Sequence, residues 1–192
     1  MIKDNQKYFN RLHLLFDALI AACSYMLAWY LKFESIFASK KQGVGVLEME
    51  TYFYALYFIV PGYVILYYFF NMYTSKRTAR RKYEVYGIVK ANTVGALLFT
   101  VVLYVINEPN FSRSMIVIFY GLNTTFSILS RQILRNLLQY FRRKGYNLKH
   151  ILLVGYSRAA EEYINRINSN PQWGYVVRGI LDDRVPRGTI YK

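Results

Sequence analysis

The stretch Tyr52–Tyr73, YFYALYFIVPGYVILYYFFNMY, contains no charged residue. A bilayer hydrocarbon core ~30 Å thick is crossed by roughly 20 predominantly apolar residues of helix, and this stretch supplies them. A helix of a soluble bundle keeps a polar face, and this one has none. Pro61-Gly62 sits mid-segment, which membrane helices tolerate because neighbouring helices satisfy the freed backbone groups. A local kink is expected there. The segment reads as a transmembrane helix, and it sets how its neighbours are read.

Three further runs have the same character: Leu12–Phe33, LHLLFDALIAACSYMLAWYLKF; about Val85–Ile106, with Lys90 near its start; and about Ser114–Leu134, SMIVIFYGLNTTFSILSRQIL, with Arg131 at its end. Composition agrees. Of 192 residues, 54% are hydrophobic, 18% aromatic and only 19% charged, which excludes disorder and is unlike an ordinary soluble domain. The single cysteine, Cys23, excludes an internal disulfide framework and a cysteine-based zinc cluster. The expected fold class is an α-helical membrane protein with four transmembrane helices, followed by the start of an α/β Rossmann-like domain. The expected domains are a four-helix region over residues 1–145, with cytoplasmic flanks, and an incomplete Rossmann-like cytoplasmic domain over residues 146–192.

The net charge of +14 is distributed by side. Lys3, Lys7 and Arg11 precede the first run, and Lys76, Arg77, Arg80, Arg81 and Lys82 separate the second from the third. Arg131, Arg135, Arg142, Arg143, Lys144 and Lys149 surround and follow the end of the fourth. The two remaining loops hold Lys40, Lys41 and Arg113, diluted by Glu34, Glu48, Glu50 and Glu108. By the positive-inside rule a multi-pass protein with both termini cytoplasmic is expected. Charge split between hydrophobic runs, rather than gathered on one soluble face, excludes nucleic acid as the partner. Anionic headgroups of the bilayer are the expected partner of the basic clusters.

Ile20-Ala21-Ala22-Cys23 imitates a lipoprotein cleavage box, but Asp17 interrupts the apolar core and SYMLAWYLKF continues the helix, so Cys23 is expected to be a packed membrane thiol. Asp17 is the one acid inside a span. An intramembrane carboxylate is a functional candidate, but one near a helix amino terminus is favoured by the helix dipole, and a structural role is expected. Asn92, Asn123, Thr124 and Thr125 are expected to bond between helices. The aromatic residues Tyr63, Tyr67, Tyr68, Phe69 and Phe70 are expected to face lipid and the interface, with packing against a second copy of the chain as the alternative.

Beyond Arg142-Arg143-Lys144-Gly145 the composition changes. His150–Val154 reads as a short buried strand stopped by Gly155, Ala159–Ile167 as a helix, Asn168–Gly174 as a turn region, and Tyr175–Leu181 as a second strand ending in Asp182-Asp183. This is the order of a right-handed parallel unit. The turn Gly155-Tyr156-Ser157-Arg158-Ala159-Ala160 resembles the dinucleotide fingerprint Gly-x-Gly-x-x-Gly, with Ser157 in place of the second glycine and Ala160 in place of the third. Gly155 suits the tight turn. Ser157 and the helix amino terminus suit a phosphate, and Arg158 either pairs with one or is a solvated first-turn residue. Asp182 falls where a ribose-binding acid sits. The candidate nucleotide-binding residues are therefore Gly155, Ser157, Arg158 and Asp182, with a purely structural unit as the alternative. One strand-helix-strand unit cannot cover both faces of its own sheet, so the domain is expected to be incomplete.

Taken together, the four membrane segments, the loop TSKRTARRK, ILLVGYSRAAEEYINRI and GYVVRGILDD resemble the amino-terminal half of bacterial polyprenyl glycosylphosphotransferases. The resemblance implies a four-helix membrane region in the bacterial plasma membrane and a Rossmann-like domain of CoA-binding type. It also implies membership of an enzyme that moves a sugar 1-phosphate from a UDP-sugar to undecaprenyl phosphate in exopolysaccharide or capsule synthesis, releasing UMP. The catalytic part of that family lies further towards the carboxyl end and uses an Asp-Glu pair with magnesium. No Asp-Glu dipeptide occurs in this sequence, so no catalytic residue, metal ligand or cofactor is carried over. A nucleotide or UDP-sugar and a second copy of the chain are candidate partners. Membrane-bound NAD-dependent nucleotide-sugar dehydratases begin similarly, but their glycine fingerprint and Tyr-x-x-x-Lys site are not complete here. A non-catalytic membrane scaffold or nucleotide sensor is the third reading.

Overall fold

The computed structural model describes residues 2–34, 49–74, 77, 80–107 and 111–184, with side chains of the first helix from residue 11 onward. The side chains of Lys3 and Lys7, together with Lys40, Lys41, Glu48, Lys76 and Glu108, lie outside the described residues. The chain divides into two compact units, Met1–Arg131 and Gln132–Lys192.

The first unit is helical: α1 Ile2–Phe33, α2 Met49–Phe69, α3 Arg81–Val105 and most of α4 Arg113–Arg143. Three helical stretches are long and apolar enough to cross a membrane, Arg11–Phe33, Met49–Phe69 and Arg81–Val105. The fourth expected span is not among them. The reason is visible in α4, where Met115, Phe119, Asn123, Ser127 and Arg131 recur every fourth residue and are all buried. Three of the polar residues that lower the apolar character of α4, Asn123, Ser127 and Arg131, thus face the interior of the unit. The expected run to Leu134 is also too short, because the helix continues to Arg143 through Arg135 and Arg142.

Helix α2 runs unbroken through Pro61 and ends before the expected Tyr73. Asn71 adopts the left-handed conformation at φ 53°, the Met72 N–H donates to the Tyr67 carbonyl at 3.0 Å, and the Asn71 N–H donates to the Tyr68 carbonyl at 3.0 Å. This pair of bonds is a Schellman stop, with asparagine tolerating the left-handed position.

The core of this unit is aromatic. Tyr52, Tyr63 and Tyr67 of α2 and Phe119 of α4 are buried, and Tyr25 and Tyr63 both meet the Phe119 ring edge-on, at 5.5 and 5.4 Å. Small residues admit these rings. A Cβ added at Gly95 would meet the Tyr63 ring at 2.8 Å, so α3 passes closest where it has no side chain. The lipid-facing expectation for the α2 aromatics is therefore corrected for Tyr63 and Tyr67, which are core, while Tyr68 and Phe69 are exposed. Cys23 is exposed as well, not packed inside the unit.

In the second unit, β1 Lys149–Val154 and β2 Tyr175–Leu181 form a two-stranded parallel sheet, joined through α5 Arg158–Asn168 and a short 3-10 turn Pro171–Trp173. The strand-helix-strand order is the one expected. Pairing runs from Lys149 opposite Tyr175 to Val154 opposite Leu181, with a bulge that leaves Arg178 over. Its Nε–H donates to His150 Nδ1 at 3.0 Å. Ile164 and Ile167 form the buried side of α5. Gly174 closes the 3-10 turn at φ 69°, and a Cβ there would meet the Arg142 methylenes at 2.9 Å. Both the backbone and the close approach require glycine.

Candidate functional site

The loop after β1 is shaped by glycine and an acid. Gly155 has φ 82°, and its N–H donates to the Leu181 carbonyl at 2.7 Å, which ties the loop to the end of β2. Nothing lies within 4 Å of the point where a Cβ would stand on Gly155, so the backbone is open to close approach. Ser157 caps α5: its backbone is extended and its Oγ accepts from the Ala160 N–H at 3.3 Å. The Asp182 carboxylate reaches the same loop, accepting from the Tyr156 N–H through Oδ2 and from the Arg184 N–H through Oδ1 at 2.8 Å. These two backbone donors, the Tyr156 N–H first, hold Asp182 below the usual carboxylate range. Arg158 projects into solvent and approaches Glu162 one turn on at 3.7 Å, a weak exposed pair.

Three of the four candidate residues, Gly155, Ser157 and Asp182, therefore border one loop, and Arg158 opens the helix beside them. The sequence did not show that Asp182 is already bonded to the loop backbone.

A second constellation lies inside the first unit, and the sequence reading missed it as a unit. The Arg131 guanidinium donates to Asp17 Oδ2 at 2.6 Å and to the Met72 carbonyl at 2.9 Å. The Tyr67 and Tyr73 rings stand 5.7 and 6.0 Å from it. Tyr67 donates to Asn92 Oδ1 at 2.7 Å and meets Ser127 Oγ at 3.0 Å. Asn92 donates to Thr124 at 3.0 Å and accepts from Asn123 at 3.2 Å. The expected interhelical bonding of Asn92, Asn123 and Thr124 is present. Thr125 instead donates within α4, to the Gly121 carbonyl at 2.8 Å. Arg131 is a buried ion-pair partner rather than part of the solvated basic cluster. The signal available for it was its place in the four-residue stripe that starts at Met115. Among the described residues no group of His, Cys, Asp and Glu is arranged to hold a metal.

A family profile described as a CoA-binding domain matches residues 68–191. This chain belongs to that family. The match starts at the very end of α2 and runs through α3, α4 and the strand-helix-strand unit, so the CoA-binding domain as defined takes in α3, a helix long and apolar enough to cross a membrane. The domain is found in bacterial polyprenyl glycosylphosphotransferases, which supports the resemblance seen in the sequence. No curated protein and no solved structure matches the chain.

Coenzyme A would bring a ribose and a diphosphate. The opening above Gly155 and the acceptor oxygens of Asp182 suit a ribose. The Tyr156 and Ala160 N–H groups are already bonded to Asp182 and Ser157, and the Asp182 charge opposes a diphosphate placed on the loop. As arranged, the loop does not form a diphosphate cradle.

Proposed function

We propose that this chain is the membrane-anchoring and regulatory half of an initiating sugar-phosphate transferase. The enzyme would move a sugar 1-phosphate from a UDP-sugar to undecaprenyl phosphate for exopolysaccharide or capsule synthesis. The family match over residues 68–191, continuous across membrane-type helices and the glycine loop, is the observation that carries this reading. In it α4 is the fourth span, both termini are cytoplasmic, and the host membrane is the bacterial plasma membrane. The buried polar stripe of α4 supports the fourth span, since it turns Asn123, Ser127 and Arg131 towards neighbouring helices, where each makes at least one polar contact, rather than towards lipid. The basic clusters rest on anionic headgroups.

The strand-helix-strand unit is read as the opening of a Rossmann-like regulatory domain. Asp182 accepts ribose hydroxyls of a nucleotide or UDP-sugar, Gly155 admits the ligand, Ser157 holds the helix start, and Arg158 offers the solvent-exposed cation for a phosphate. Catalysis and its magnesium belong to a part of the enzyme outside this chain.

The test is to express the coding frame through and beyond Lys192 in membranes and to assay UMP release from UDP-sugars. Release that needs the downstream region and persists in Gly155→Val supports an anchoring and regulatory half. Absence of a downstream catalytic region, or of any release, removes the transferase reading. Thermal shift of the same protein with nucleotides tests the loop separately: protection lost in Asp182→Ala supports it, and no protection by any nucleotide removes it.

A further inference from the structure

Lys90 is an exposed cation inside a helix long and apolar enough to cross a membrane. It lies nine residues into α3, about 14 Å along the axis from Arg81 at the helical rise. Charged residues at such depth are rare and face a protein interior or a partner. Lys90 is exposed, and among the described residues it takes part in neither the Asp17–Arg131 nor the Arg158–Glu162 ion pair. Its ammonium instead stands 6.0 Å from the Phe70 ring, at the end of α2. The acid nearest along its own helix, Glu84, is six residues back on a different face of α3.

The surroundings of Lys90 form a graded strip. Lys82, Tyr86, Lys90, Thr93 and Leu97 follow one another at spacings of four, four, three and four, which keeps them on one side of a helix, and all are exposed. Polarity falls along this strip from the basic start of α3 towards mid-helix. Thr93 is withdrawn from the strip's hydrogen-bonding capacity, since its hydroxyl donates to the Val89 carbonyl at 2.9 Å and meets the Tyr120 hydroxyl at 3.1 Å. What remains is the Lys82 ammonium at the helix start, which stands 5.3 Å from the Tyr83 ring, and deeper along α3 the Lys90 ammonium and the Tyr86 hydroxyl, with an aromatic wall at Phe70 and an apolar track towards Leu97.

We propose that Lys90, Tyr86 and Phe70 form a binding site on the outer face of α3 for the headgroup phosphate of an anionic phospholipid, whose acyl chains follow Thr93 and Leu97. The lysine stem reaches back towards the headgroup level while its methylenes stay in the apolar layer. The phosphate supplies the counter-charge that no described residue is seen to bring to Lys90. This site is independent of the sugar-phosphate reading, because neither the glycine loop nor any catalytic group takes part.

The experiment is native mass spectrometry of the full chain, released from micelles doped equally with phosphatidylglycerol and phosphatidylcholine. Phosphatidylglycerol should be retained in preference. Lys90→Gln should lower its retention about fivefold, the factor one basic residue contributes at an anionic lipid surface. Lys90→Met should lose it equally while melting no lower than the parent in detergent, which separates lost binding from lost folding. Lys32→Gln, in the last turn of α1, should retain the lipid unchanged. Equal retention of phosphatidylcholine, full retention by Lys90→Gln, no retention by the parent chain, or displacement by excess inorganic phosphate would each overturn the proposal.

Discussion

Arg131 and Asp17 meet at 2.6 Å across 114 positions of sequence, with 6% and 5% of their side chains exposed. The pair joins α1 to α4. The bond from Arg131 to the Met72 carbonyl adds the turn that follows α2. Three elements are therefore fastened at one guanidinium, whose planar fork presents several donors at fixed angles. A buried ion pair gives little net stability relative to apolar residues, but it fixes which residues may face each other, since any shift in register strands two charges.

Breaking that pair from one side should be costly. Asp17→Ala leaves a buried guanidinium without its counter-charge, and a loss of about 3–5 kcal/mol is expected, with a similar loss for Arg131→Ala. Equilibrium unfolding of the full chain in detergent measures both. Replacing the two together, as Asp17→Leu with Arg131→Met, should recover most of the loss. A double variant as unstable as the sum of the single ones would show that the residues act separately.

The neighbouring hydroxyl network predicts a smaller effect. Tyr67→Phe removes the donor to Asn92 and the contact with Ser127 while keeping the ring against Arg131. Interhelical bonds of this kind are worth about 0.6 kcal/mol each on average in a membrane protein, so a loss near that scale is expected. Gly95→Ala should cost more, about 1–3 kcal/mol, because its methyl group enters the Tyr63 ring rather than open space. A smaller cost for Gly95→Ala than for Tyr67→Phe would contradict the packing at that crossing.

The membrane-type character of the chain was legible because a charge-free run such as Tyr52–Tyr73 needs no partner to be read. The strand-helix-strand order was legible because Gly155, Pro171 and Gly174 punctuate it locally. The pairing of Asp17 with Arg131 was not, since each residue taken alone has a local explanation, a helix start for one and a positive-inside cluster for the other. The same holds for Tyr67 and Tyr68: both suit a lipid interface by composition, and only the rotation of α2 against its neighbours buries one and exposes the other. Cys23 and Thr125 were misplaced for that reason too. Ser157 was legible as a helix start, while the bond from Tyr156 to Asp182 depends on two strand ends meeting.

That bond makes the glycine loop sensitive to acid. The Asp182 pKa is lowered by the Tyr156 and Arg184 N–H groups. A depressed carboxylate contributes stability above its unfolded pKa, and that contribution is lost as pH falls through the folded value. The loop should therefore be unchanged from neutral pH down through the ordinary carboxylate range and should loosen only below it. The amide resonance of Tyr156 should follow this profile in an acid titration of the full chain. In Asp182→Asn the profile should disappear. A midpoint above the ordinary carboxylate range would contradict the geometry of the loop.

The fourth span makes a topological prediction of opposite sign to its absence. If α4 crosses the bilayer, a reporter fused after Lys82 and one fused after Lys144 should both report the cytoplasm. One fused after Gln42 should report the outside. If only the three more apolar helices cross, the reporter after Lys144 should switch to the outside while that after Lys82 stays where it is. The buried stripe of α4 favours the first pattern, because Asn123, Ser127 and Arg131 are buried within the unit rather than turned outward. The basic residues Arg142, Arg143 and Lys144 favour it as well, since positive charge following a span is retained on the cytoplasmic side. Alkaline phosphatase and green fluorescent protein fusions at these three positions decide between the two.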